Sequence, residues 1–326
     1  MIRRSLSLLP LLALTFLAGC VIIPGFPGLG RQEMRAVTLQ EAESVWTRDR
    51  FLVVDIAGVI STEKSDGFFE EGTSLVEDLH DALEEAREDD HIRALIVRID
   101  SPGGGVTASD IIHHEIQRYA EETEVPTVAM LMNTAASGGY YAAVAADRIV
   151  AHPTTVTGSI GVVLITMDVE GLEDLIGIQV SAITSGPHKD ILSPFRAMTD
   201  EERALVQRVI DELHDQFIDA VAEGRPNLSR DEIVALADGR IYTAQQALDA
   251  GLIDEVSHMP ELIDSLSEEL GLDDVEVITY RRGASGEYGL YSRAAMAPRL
   301  DIDLIDIEAV TRGLQPGFHY LWCIGN

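Results

Sequence analysis

The sequence predicts a layered α/β domain with a largely parallel sheet, followed by a helical C-terminal part. Three observations point there. Its short apolar runs are continuous rather than alternating, as strands buried on both faces require. Segments with apolar residues at helical spacing and acids between them separate those runs. The resulting order of strand, helix, strand, helix is that of a parallel sheet with crossover helices.

Residues 39–46 read as a short helix and Phe51-Leu-Val-Val-Asp-Ile-Ala-Gly-Val-Ile60 as a buried strand. Leu75, Leu79, Ala82, Leu83 and Ala86 mark one face of a helix. Residues 93–99 form the next strand, residues 100–105 a tight glycine turn, residues 107–122 a helix and residues 127–132 a strand. The small residues from Ser137 to Ala146 read as a helix that begins near Ser137. Residues 148–151, 160–165 and 179–184 are further strands. Thr199-Asp-Glu-Glu202 and Ser229-Arg-Asp-Glu232 have the Ser/Thr-x-x-Glu pattern of capping boxes, the first opening a helix to about Glu223. Gly251 ends the helix 244–250 as a left-handed cap. Past Tyr280 the pattern weakens into a connection over residues 281–299, yet residues 317–325 are strongly apolar, and such a chain end is usually docked.

Composition narrows the function. A length of 326 residues with 46% hydrophobic content gives ample chain for a core. A net charge of −31 argues against nucleic acid as a partner, because little basic surface remains to displace phosphate counterions. At the N-terminus, Arg3 and Arg4 precede an apolar run from Leu8 to Leu17 and the box Leu17-Ala18-Gly19-Cys20. That pattern resembles a bacterial lipoprotein signal cut before Cys20, which then carries lipid. An uncleaved membrane anchor over residues 5–23 is the competing reading. Either places the domain in the bacterial cell envelope, facing the periplasm or the exterior. With Cys20 lipidated only Cys323 remains, so no intrachain disulfide is available. The expected organisation is a signal peptide at 1–19, a membrane-proximal tether at 20–37, the main domain at 38–280 and a C-terminal extension at 281–326.

The chemistry centres on Ser137 and Lys189. Only two lysines occur in the chain, against 22 arginines. Lys64 lies in a polar stretch and reads as a solvated residue. Lys189 lies in Ser185-Gly-Pro-His-Lys-Asp-Ile-Leu-Ser-Pro194 and can act as a base, which arginine cannot. A lysine base has to fall from a pKa of about 10.4 to about 7 or 8, a cost of roughly 4 kcal/mol that burial supplies. Asp190 beside it has to face away, since an inward carboxylate would hold the proton on. Ser137 is followed by Gly138 at a helix start, and the turn Gly103-Gly104-Gly105 ends a neighbouring strand. Their free backbone N–H groups suit a developing oxyanion. The rival is a serine–histidine pair using His113, His114, His152 or His188, which has no companion motif.

The motifs Asp100-Ser-Pro-Gly-Gly-Gly-Val106, Ala135-Ala-Ser-Gly-Gly-Tyr-Tyr-Ala142, Thr157-Gly-Ser-Ile-Gly-Val162, Ser185-Gly-Pro-His-Lys-Asp190, Ser193-Pro-Phe-Arg-Ala-Met-Thr199, Asp238-Gly-Arg-Ile-Tyr-Thr243 and Gly251-Leu-Ile-Asp254 occur in this order. Together, across residues 50–260, they resemble the signal peptide peptidase A family of membrane-bound Ser/Lys proteases in its short form. The resemblance implies a ClpP/crotonase-like core, Ser137 as nucleophile, Lys189 as general base and Ser159 as the hydroxyl that orients the lysine. It also implies an oxyanion hole from the N–H groups of Gly104 and Gly138, with Gly103 as the alternative to Gly104. No metal or organic cofactor is implied. The implied partners are peptide substrates such as signal-peptide remnants, the membrane through lipidated Cys20, and further copies of the chain in a ring with shared active sites. The lipobox departs from the plain anchor common in that family, which leaves inner and outer membrane both open. A non-catalytic ring-forming assembly protein and a crotonase-type acyl-CoA enzyme are the alternatives from other classes.

Overall fold

The computed structural model of the chain describes residues 33–64, 73–283, 288–292 and 318–322. The signal segment, Cys20 and the Pro/Gly-rich stretch 24–30 lie outside the described residues. No helix among the described residues is long and apolar enough to cross a membrane.

The main sheet begins with β1 (Met34–Gln40), β2 (Arg50–Ala57), β3 (Ile92–Ser101), β5 (Thr127–Ala136) and β6 (Arg148–Ala151), with the short β4 (Gly103–Gly105) just after β3. It is completed by β7 (Val156–Gly158), β9 (Ile241–Thr243), β10 (Glu255–Val256) and β11 (Glu276–Arg282). Its order is β1-β11-β2-β3-β5-β6-β10, with β7 joined to the far end of β5 and β9 beyond it. The pairs β11–β2, β2–β3, β3–β5, β5–β6, β6–β10 and β5–β7 are parallel. Among the described residues only β1–β11 and β7–β9 run antiparallel within it. A second, three-stranded sheet has the order β4-β12-β8, with β8 at Val163–Leu164 and β12 at Phe318–Leu321.

Continuous apolar strands have apolar faces on both sides, and both are covered. Leu52, Val54, Leu95, Val97, Ala129 and Leu131 face one layer of helices. That layer contains α1 (Leu75–Arg87), α2 (Val106–Thr123), α3 (Gly138–Ala143), α5 (Asp200–Gly224), α6 (Arg230–Leu236) and α7 (Ala244–Asp249). Phe51, Val53, Ala94, Ile96, Val128 and Met130 face the other way, against Met259, Leu262, Ile263 and Leu266 of α8 (Met259–Leu270). The period-two alternation of a strand explains this split. A short α4 (Glu170–Ile176) lies outside both layers, in the segment that leads to Lys189.

The capping boxes at Thr199/Glu202 and Ser229/Glu232 are both formed, as expected, and Gly251 has φ +74°. Several expectations are corrected. The helix expected at 39–46 is absent: Leu39 and Gln40 belong to β1, and the Asp274 carboxylate accepts the amides of Glu43 and Ser44 and the Thr47 hydroxyl, which fixes turns instead. Because β1 begins at Met34, residues 34–37, expected in the tether, belong to the sheet. The strand expected at 160–165 shrinks to Val163–Leu164, and none forms at 179–184, where no neighbouring strand supplies a ladder and Ile183 is fully exposed. The glycine turn includes a strand, β4, whose partner is the chain end. That end, β12, is docked as expected.

Arg225 and Asp254 tie the C-terminal helices to the sheet. Arg225 donates to both Asp254 oxygens at 2.7 Å and to the Gly251 carbonyl at 3.0 Å, while Asp254 also accepts the Ile149 N–H at 2.8 Å. Burial pushes the Asp254 carboxyl up, but these hydrogen bonds outweigh it and hold the group below its ordinary range. Replacing Arg225 with Met strands a partly buried carboxylate, so unfolding in denaturant should show a loss of about 2 kcal/mol, below the roughly 3–5 kcal/mol of a fully buried pair. The double change Arg225→Met with Asp254→Leu should recover most of it.

Candidate active site

Ser137 stands at the C-terminal end of β5 and is the residue before α3. Parallel pairing of Ala136 with Gly158 continues into a hydrogen bond from the Ser137 N–H to the Gly158 carbonyl at 2.7 Å, and the Ser137 carbonyl accepts the Tyr141 N–H at 2.9 Å to start the helix. Between these two restraints Ser137 is held at φ +53°, ψ −117°, a conformation that costs an L-residue on the order of 1–3 kcal/mol. It is 1% exposed. Ser159 follows β7, also buried and at φ +51°, with its N–H bonded to the Arg240 carbonyl at 2.7 Å. The β5–β7 pairing thus sets the two serines at neighbouring strand ends.

The glycine turn is fixed from below. The Ser101 hydroxyl donates to the Gly58 carbonyl at 2.6 Å and accepts the Gly103 N–H at 3.0 Å. Ile60 bonds the Gly103 carbonyl and the Gly105 N–H, each at 2.9 Å. Backbone groups alternate sides along a strand, so the polar groups of Gly104 point to the opposite edge. A Cβ on Gly103 would lie 2.7 Å from the Gly138 nitrogen, and one on Gly138 would lie 2.3 Å from the Ser109 hydroxyl. Absence of side chains is what lets the two loops approach. Gly103, Gly104, Ser137 and Gly138 are therefore brought together, with Ser159 on the adjoining strand end.

Lys189 is not brought to them. It is exposed, its N–H bonds the Gly186 carbonyl at 3.2 Å, and among the described residues no hydrogen bond joins it to Ser137 or Ser159. Asp190 does face away: both of its oxygens accept from Arg196 at 2.9 Å, and Arg196 also donates to Glu202 at 2.5 and 2.9 Å. These bonds hold the Asp190 carboxyl low, and with the Thr199 N–H they bring Glu202 to about 2. Arg196 has no role that residue type alone announces, although it lies inside the motif Ser193-Pro-Phe-Arg-Ala-Met-Thr199. The segment around Lys189 exposes Met167, Leu172, Leu175, Ile178 and Val180 besides Ile183.

None of the histidine rivals reaches Ser137. His152 bonds Thr154 at 2.9 Å, His188 lies 3.8 Å from Glu201, His114 is exposed, and His113 packs against the Tyr141 ring at 5.1 Å. The cluster His80, Glu84, Glu115 has ligand atoms within 4.8 Å of one another, but Arg118 pairs with both carboxylates and makes it an ion-pair network.

The family model of peptidase family S49 matches residues 119–273. A protein assigned as signal peptide peptidase SppA in Enterococcus faecium is 32% identical over 79% of this chain and 73% of its own length. The chloroplastic serine protease SPPA of Arabidopsis thaliana is 35% identical over 66% of this chain, which spans 32% of that longer protein. Among solved structures, a point mutant of ClpP1 from Listeria monocytogenes has a TM-score of 0.42 at 19% identity, covering 64% of this chain and 92% of that one.

His113 is 6% exposed, and burial pushes its pKa down to about 4. The unfolded chain takes up this proton near pH 6.5 and the folded chain resists it until about pH 4, so the contribution is intact above 6.5 and lost as pH falls through that window. His113→Leu should remove on the order of 3 kcal/mol of the acid-side decline in unfolding free energy between about pH 6.5 and about pH 4. A variant that declines as steeply as the parent would contradict this assignment.

Proposed function

We propose that this chain, which belongs to peptidase family S49 and is a protease by that membership, cleaves peptides with Ser137 as nucleophile and a lysine as general base. One observation carries the reading: a buried serine in a strained conformation stands where the Gly103–Gly105 strand comes up against the Gly138 amide. A serine held there can attack a carbonyl whose oxygen is received by two backbone N–H groups, so charge develops against preformed donors. Gly104 serves as the first donor rather than Gly103, because the Gly103 N–H already donates to the Ser101 hydroxyl.

In this reading Lys189 removes the Ser137 proton and later returns it to the leaving amine, while Ser159 orients the ammonium group. A lysine acts as a base only when desolvation strips its proton, and on a single chain Lys189 is exposed. The segment that leads to it is equally uncovered at Met167, Leu172, Leu175, Ile178, Val180 and Ile183, and a large exposed apolar patch is rarely left open. The base is therefore supplied across an interface, with the segment 165–198 of one copy covering the Ser137 site of the next in a closed ring. Ser137→Ala and Lys189→Ala should each abolish cleavage of an apolar peptide while leaving the thermal transition in place. Mixing the two inactive proteins under subunit exchange should restore a fraction of the activity, since some sites then carry both residues. Full activity of Lys189→Ala alone, or no recovery on mixing, would remove the shared dyad.

The substrate class proposed is apolar peptide in the bacterial envelope, signal-peptide remnants included, met by an enzyme held at the membrane through lipidated Cys20. Cells fed an alkyne fatty acid should label the wild-type protein, and Cys20→Ala should lose both the label and its place in the membrane fraction. A labelled Cys20→Ala protein would refute lipidation at this residue.

A further inference from the structure

Strand β5 does not run straight to its serine. Against β3 it keeps one register from Leu95 opposite Thr127 to Ile99 opposite Leu131, and then resumes with Ser101 opposite Ala135. One residue of β3, Asp100, therefore faces three of β5, Met132, Asn133 and Thr134. The irregularity belongs to β5, because β3 stays in register with β2 through Ile56 opposite Ile99 and Ala57 opposite Asp100. It coincides with a change of partner on the other edge, where β5 leaves β6 after Leu131 and joins β7 at Thr134.

An insertion of two residues leaves the faces of the strand unchanged, since side chains alternate with period two. Ala129, Leu131 and Ala135 accordingly all face the same layer of helices. What changes is the level at which the chain arrives. Continued from Ser101 opposite Ala135, the register sets Ser137 level with Gly103. The register before the step would set Ser137 against Gly105 instead, roughly 6–7 Å further along the glycine strand. The step thus brings the serine and the residue after it to the height at which a Cβ on Gly103 would lie 2.7 Å from the Gly138 nitrogen.

A bulge leaves ladder groups without strand partners, and here side chains take them. Asp100 Oδ1 accepts the Thr134 N–H at 3.1 Å. On the other edge the Thr155 hydroxyl, 1% exposed, bonds the Leu131 carbonyl at 2.9 Å and reaches that of Met132. Just past the step the Thr157 hydroxyl donates to the Ala135 carbonyl at 2.6 Å. Asn133 at the crest is exposed and Met132 only partly buried, so the hold comes chiefly from these bonds.

We infer that Asp100 is a positioning residue of the protease site. Its carboxylate stands in for the missing ladder carbonyl at Thr134, fixes the two-residue step of β5, and so sets Ser137 level with the glycines that receive the oxyanion. The inference rests on the Ser137 reading for the chemistry, and Asp100 acts through β5 and not on the substrate.

The full-length protein tests this through the acceptor that residue 100 supplies. Asp100→Ala removes it, and kcat on an apolar peptide should fall by on the order of 10², the cost of misplacing a reacting group by about 1 Å, with KM within about twofold of the parent. Asp100→Asn keeps an acceptor oxygen without the charge and should return kcat to within about threefold of the parent. Parental kcat in Asp100→Ala, or a loss in Asp100→Asn as deep as in Asp100→Ala, overturns the inference. Hydrogen exchange gives a readout without catalysis. The Thr134 amide should exchange about tenfold faster or more in Asp100→Ala and at the parental rate in Asp100→Asn, while the amides of Leu95 to Ile99 stay protected in both. Unchanged exchange at Thr134 in Asp100→Ala overturns the hold on the step whatever the activity shows. A Ser137→Ala protein that still cleaves would count against the Ser137 reading and leave the exchange result standing. If Asp100→Ala does not fold, Thr155→Val removes the hydroxyl on the other edge of the step and keeps the side-chain shape. The same fall in kcat at parental KM is expected there, and an unchanged kcat overturns the role of the step.

Discussion

Everything at this site depends on the hydrogen bond that joins the Ser137 N–H to the Gly158 carbonyl at the end of the β5–β7 pairing. A parallel ladder has to end somewhere, and here its last bond coincides with the residue where the chain turns into α3. Two regular structures, each correct on its own side, impose on Ser137 a φ that neither would choose. The strain is tolerated because β5 is held between β3 and β6, deep in the sheet, and cannot slide. Once β5 is fixed, so is the direction of the Ser137 side chain, and with it the position at which any acceptor loop has to stand.

The glycine strand meets that demand through edge chemistry. A three-residue strand has two edges, and Ile60 uses one of them completely. The other edge, at Gly104, is paired by β12, as a strand edge is a template for pairing. Beside that edge the rings of Tyr141, Phe217 and Tyr320 pack together between α3 and α5. Both helices reach that position because the alternation of strands β2, β3 and β5 gives them one continuous apolar face to pack on.

How far the sequence displayed this arrangement differs from part to part. Strands with continuous Val, Ile and Leu runs, and helices with Ser or Thr three residues before Glu, were legible because their causes are local. Residues 156–158 and 241–243 carry no such signal: two short strands with few apolar residues exist only because each pairs with a neighbour elsewhere along the chain. Residues 179–184 show the reverse failure, an apolar run with the look of a strand but no partner strand among the described residues. The loop positions of Gly104, Ser137 and Gly138 could be read from residue type, whereas the engagement of the Gly103 N–H by the Ser101 hydroxyl could not. The Tyr141–Phe217–Tyr320 cluster joins residues separated by more than half the chain, and only the apolar character of residues 317–325 hinted at it.

The separation of the buried serine from the exposed lysine follows from opposite requirements on the two groups. Ser137 needs fixed geometry, which the sheet supplies within one chain. In the proposed dyad Lys189 needs a dry environment at the moment of reaction, and a lysine buried permanently would cost several kcal/mol in every folded molecule. On that proposal, carrying it on an exposed segment defers the cost until another surface covers it. Arg196 engages Asp190 and Glu202, so the carboxylate next to Lys189 in the sequence is already paired. In a chain with 22 arginines and two lysines, an arginine that keeps its proton thus occupies the acid beside the one residue that the proposed mechanism requires to lose one.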